Sequence, residues 1–124
     1  MSGDRTPAML LEELGTEMRE LSEAGESFSR ARRVLARCQY TYEQGMAREL
    51  IHLRDEYQQA GERLPGEEMR KAICHSKMSD DERSNLLMSE AEVDALEKII
   101  RVRTCVVSAL QSELSFLRTE FSTA

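Results

Sequence analysis

From Leu86 to Phe121 the chain repeats its seam residues at alternating steps of three and four, through Leu86, Ser89, Val93, Leu96, Ile100, Arg103, Val107, Leu110, Leu114, Leu117 and Phe121, without a slip. A rhythm held over about five heptads is that of an α-helix whose apolar stripe another helix covers in a left-handed supercoil. Ile99, Val106 and Glu113 widen the stripe on one side beyond a two-stranded seam, which predicts a third helix or a second subunit there. Arg103 stands alone among the apolar seam positions. A buried polar residue at such a place fixes register or oligomer state. Its expected partner is a seam carboxylate of the preceding helix, Glu49 or Glu43, unless the arginine extends along its own aliphatic stem to water. Cys105 falls opposite the seam and is expected to be exposed.

Ser79-Asp80-Asp81-Glu82 has the pattern of a capping box, so this helix is expected to start within two residues of 80. Upstream, Thr6-Pro7 supplies a cap and a preorganised first helical residue. The acids Glu12, Glu13 and Glu17 follow, as the helix dipole prefers. A helical stripe then runs through Leu14, Met18, Leu21, Ala24, Phe28 and Ala31, and onward through Leu35, Cys38, Tyr42, Met46, Leu50, Leu53, Tyr57, Ala60 and Leu64. It slips near Ala24 and again around Met46, where supercoiling should be irregular. Gly25 either breaks this helix or is carried through it.

The stretch Gly61 to Gly66, with Pro65, is the clearest stop signal. The expected order is a disordered segment over 1–5, a long helix over 6–64, and a linker over 65–78 with a short helix from Glu67 to Lys77. A coiled-coil helix over 79–122 completes the chain. The apolar side of the short helix is expected at Met69, Ile73 and Met78. The fold class is therefore all-α, a long antiparallel helical hairpin or coiled coil with a short connecting helix, the return helix lying against about residues 20–62. Two such long helices in 124 residues cannot close a globular core alone, which predicts a homo-oligomer.

Composition agrees with long solvated helices: 32% of residues are charged, 5% are aromatic, and tryptophan is absent. The length suggests one domain. A net charge of -6 argues against non-specific attraction to nucleic acid or anionic lipid, so any basic site must be local. Cys38, Cys74 and Cys105 are widely spaced, which points to a reducing compartment rather than a disulfide framework. The polar start MSGDRTPAML lacks the apolar region of a signal peptide, and no run reaches the roughly 20 apolar residues of a membrane span. A cytoplasmic protein without a membrane partner is expected.

Cys74-His75 is half of a metal-ligand set without a second half, and His52 has no cysteine or histidine near it in sequence. No nucleophile elbow, phosphate loop or paired-acid motif is present. No catalytic residue, cofactor or metal is expected, and the chain reads as a non-enzyme. Met9, Met18, Met46, Met69, Met78 and Met88 read as gap-filling core residues.

One local feature reverses the overall charge. Arg30, Arg32, Arg33 and Arg37 fall in a stretch without acids. Arg30, Arg33, Arg37, Tyr40, Gln44 and Arg48 are spaced as one stripe facing away from the apolar one. Such a stripe either holds a single strand by phosphate contact and base stacking, or is a solvated face whose arginines meet glutamates of a neighbouring helix.

The order of parts resembles the short helical recombination mediators of tailed phages, the UvsY-type proteins. The resemblance covers residues 28–120: the basic helix from Arg30 to Arg54, the linker with Arg70-Lys71-Ala72, and the stretches Ser89-Glu90-Ala91-Glu92, Ala109-Leu110-Gln111-Ser112 and Leu117-Arg118-Thr119-Glu120. It implies a ring-forming protein that binds single-stranded DNA and helps load a RecA-like recombinase onto strands covered by single-strand-binding protein. Under it, Arg30, Arg33, Arg37, Tyr40 and Arg48 would touch DNA while Val93, Leu96, Ile100, Arg103, Val107, Leu110, Leu114 and Leu117 hold the seam. The other reading is an acidic helical adaptor or inhibitor acting only through protein contacts.

Overall fold

The computed structural model describes residues 5–123, and side chains as far as residue 120. Among the described residues there are three helices and no strand: α1 (Pro7–Ala60), α2 (Glu67–Lys77) and α3 (Asp80–Thr123). The chain is all-α, a long helix pair with a short connecting helix. Among the described residues no helix is long and apolar enough to cross a membrane.

Each boundary has a local cause. The Thr6 hydroxyl accepts the Met9 N–H at 3.1 Å, so the orphan donors of the first turn are partly satisfied. α1 then passes through Gly15 and Gly25 without a break. It stops at Ala60, short of Leu64, because Gly61 turns left-handed with φ 68°. Gly61 and Glu62 then donate to the carbonyls of Gln58 and Tyr57 at 3.2 and 3.0 Å, closing the helix end. α2 has Glu67 and Glu68 in its first turn and His75 and Lys77 in its last, each complementing the helix dipole. α3 is capped by half of the expected box. The Ser79 hydroxyl accepts the Glu82 N–H at 3.1 Å, but the Glu82 carboxylate turns to Arg48 instead of returning to Ser79.

The chain separates into two compact units, Met1–Arg30 with Asp94–Ala124, and Ala31–Val93. Long paired helices touch only what lies alongside them, so packing collects in local groups.

In the first unit α3 runs antiparallel to α1. Leu10 is fully buried against Leu110 and Leu114, with Leu14 and Leu117 packed on the cluster. Val107 is buried, and Leu96, Ile100 and Arg103 are half-buried. Arg103 meets Glu17 at 3.0 Å and also Glu20. Glu43 and Glu49, the expected partners, belong to the other unit. Met18, expected in the seam, is half exposed because Glu17 takes its place opposite α3. Arg5, assigned by sequence to a disordered segment, bridges Glu13 at 3.1 Å and Glu113 at 3.5 Å. The rest of that segment, and the Phe121 side chain, lie outside the described residues.

In the second unit α1 is covered from two sides. Leu53, Cys74 and Met78 are nearly inaccessible, and Ala31, Ser89 and Val93 are buried with them. α2 lies along Met46 and Leu50 of α1, tied by a 2.6 Å hydrogen bond between the Tyr42 hydroxyl and His75 Nδ1 and by Lys77 to Glu56 at 3.3 Å. The first turn of α3 lies beside Gly45 and Arg48. The slip in the α1 stripe around Met46 is thus the point where one helix meets two.

Within this unit α2 covers the end of α1, and α3 meets α1 near Arg48. Met69 is exposed and Cys74 takes the buried position of α2. Of the methionines read as core, Met78 is buried, whereas Met9, Met18, Met69 and Met88 are exposed.

Candidate nucleic-acid interface

The arginine stripe divides when its residues are followed one by one. Arg30 lies in the first unit and donates to the Ser27 hydroxyl at 3.2 Å. The other stripe residues lie in the second unit. Arg33 is exposed. Arg37 is exposed too, but borders a groove shared with Asp81, Glu82 and Asn85. Tyr40 keeps 63% of its surface open, and its hydroxyl accepts a hydrogen bond from the Gln44 amide at 2.9 Å. That bond steadies an aromatic ring whose faces remain available, the property a base-stacking platform needs.

Arg48 is not part of this surface. Its guanidinium reaches Glu82 at 3.1 Å and Glu49 at 3.6 Å. The hydrogen bond that Arg48 donates to Glu82 and the charge of both carboxylates push the Arg48 pKa up. This is the solvated-face alternative realised at one position. The cause is a single step: the stripe was continued from Gln44 by four residues, which rotates it towards α3.

Continued instead by alternating threes and fours, the line from Arg30 passes Gln44, Ala47 and Ile51 and arrives at Arg54. There the fold gathers what sequence spacing does not show. Arg54 of α1 and Arg70 and Lys71 of α2 surround a cavity of about 270 Å³ whose remaining lining is Met46, Leu50, Cys74 and Glu67. Glu67 pairs with Lys71 at 3.3 Å, but both side chains are about 70% exposed, so water and salt weaken the pair. The Arg70 Nε is buried with no hydrogen-bond partner, although a buried donor without an acceptor costs about 1 to 3 kcal/mol. Three cations over an apolar floor suit an anion that carries a flat or apolar part. From Arg33 to Arg54 the face runs about 30 Å at the helical rise.

The seam residues are placed differently from the stripe. Val93 is buried in the second unit, and Leu96, Ile100, Arg103, Val107, Leu110, Leu114 and Leu117 are buried or half-buried in the first. Cys105 is exposed, Cys38 half-buried and Cys74 buried. His75 spends its Nδ1 on Tyr42, and His52 lies 3.9 Å from Glu49 on an exposed face. Comparison with protein-family models, curated proteins and solved structures found no match for this chain.

Proposed function

We propose that the protein is an oligomeric accessory factor that holds single-stranded DNA along the exposed face of α1 and helps load a RecA-like recombinase onto it. The observation that carries the DNA-binding part is the meeting of Arg54, Arg70 and Lys71 around one cavity, at the end of a face that already bears Arg33 and Tyr40. Phosphates would lie on the cations and a base on the Tyr40 ring. Such contacts supply affinity without sequence preference. The loading step, with a RecA-like recombinase and single-strand-binding protein as partners, rests on the resemblance to UvsY-type mediators.

The net charge of -6 sets a condition on this reading. Binding must come from a local patch and should fall steeply with salt, because each neutralised phosphate releases a counterion. Titrating a fluorescent oligothymidylate at low and physiological salt tests it. Replacing both Arg33 and Arg54 by Glu should lower affinity by about a hundredfold or more, while Arg101→Glu, on α3 and paired with Glu97, should leave it unchanged. No binding at low salt would leave the acidic adaptor as the better description. Binding with equal loss in all variants would place the DNA elsewhere. A shortened lag in recombinase filament assembly on protein-covered strands would test the loading step.

A further inference from the structure

We propose that α3 carries a second seam, and that this seam closes antiparallel on its own counterpart in a second copy of the chain, with the two-fold axis at Val106. Ile99, Val102, Val106, Ala109, Glu113 and Phe116 step along the helix by alternating threes and fours, a quarter turn or more from the seam that faces α1. All lie in the first unit. Val102 and Phe116 are more than 60% exposed, and Ile99 and Val106 are 45% and 37% exposed. The groove beside them, about 400 Å³, is lined on the α1 side by Glu17 alone. Among the described residues, α1 adds no apolar side chain to that groove. A run of about three heptads of this kind is long enough to pair with another helix.

The stripe is its own complement in one direction only. With Val106 facing Val106 and the helices antiparallel, Val102 meets Ala109 of the second copy and Ala95 meets Phe116, so a small residue faces a large one at the ends. Ile99 packs on the aliphatic stem of Glu113, whose carboxylate, already bridged by Arg5 of its own chain at 3.5 Å, then also lies beside Lys98 of the second copy, an opposite-charge contact repeated by symmetry. The parallel arrangement would set Glu113 against Glu113 in an apolar stripe, which costs free energy instead. Charge and size together select a second copy in antiparallel register. This deepens the oligomeric part of the reading above and requires no contact with DNA.

Cys105 makes the arrangement directly testable. It is exposed and sits one residue from the axis, so the two thiols fall on the same side of the helix pair with Cα atoms about 8 to 10 Å apart, the usual spacing of packed helices and within reach of a short bis-maleimide. The full chain, without nucleic acid, should sediment as a concentration-dependent dimer, and a short bis-maleimide should give a cross-linked dimer lost in Cys105→Ser and kept in Cys38→Ser. Val102→Glu with Val106→Glu, both on the exposed face, should retain helical circular dichroism and raise the dimer dissociation constant more than about a hundredfold. Lys98→Glu should weaken the dimer, and adding Glu113→Lys should restore it. A monomer at every concentration, a dimer indifferent to the Val102 and Val106 changes, or cross-linking that survives Cys105→Ser would each overturn the proposal. Because these readings use no DNA, they fail or succeed separately from the titration above.

Discussion

Gly45 and Gly25 look alike in the sequence, each a glycine inside a long helix, and the structure gives them different consequences. A Cβ at Gly45 would collide with the Glu82 carboxylate and lie 2.8 Å from the Met78 methyl carbon, both far ends of flexible side chains, whereas one at Gly25 would meet nothing within 4 Å. Gly25→Ala should stabilise by about 0.5 to 1 kcal/mol, since alanine loses less backbone freedom on entering the helix. Gly45→Ala should gain less than Gly25→Ala, because Glu82 and Met78 must swing aside and the Arg48–Glu82 contact is disturbed. Urea titration of the two variants measures the difference, and equal gains would show that neither side chain crowds Gly45. The sequence could raise Gly25 as a question of helix continuity but gave no hint of Gly45. Close approach by a distant segment leaves no periodic trace.

At the scale of the helices, periodicity was informative and partner identity was not. Every seam position from Leu86 to Leu117 is buried or half-buried, because a heptad rhythm fixes which side of a helix faces a neighbour. The same rhythm says nothing about which residues of the neighbour are met. Arg103 found Glu17 and Glu20, and no local pattern in α3 names them. The basic face shows the same limit: Arg54 was within reach of a stricter three-four count, but its meeting with Arg70 and Lys71 depends on how the linker folds back.

The start of α3 offers a test at this scale. Ser79→Ala should cost about 1 kcal/mol by freeing the Glu82 N–H. The Glu82 carboxylate, facing Arg48, should couple to Arg48 and not to Ser79 in double-mutant cycles. Coupling to Ser79 would restore the full capping box.

For the whole molecule, a net charge of -6 coexists with a local cluster of three cations, as the sequence required of any basic site. Long helices let charge segregate along the chain instead of averaging over a compact surface, and the packing divides into two compact units.

The hydrogen bond between Tyr42 and His75 has an optical consequence. With no tryptophan in the chain and three tyrosines, intrinsic emission comes from tyrosine alone. The Tyr42 ring lies tilted against the His75 ring with centroids 5.8 Å apart, a contact that provides a route for quenching. Tyr57 is half-buried, and Tyr40 stands in water. Emission should therefore be weighted towards Tyr40. A base stacking on that ring should dim it, and Tyr40→Phe should remove most of the response; a signal unchanged by saturating oligonucleotide would show that no base rests on Tyr40. The molecule thus carries a built-in lamp on the face assigned to DNA.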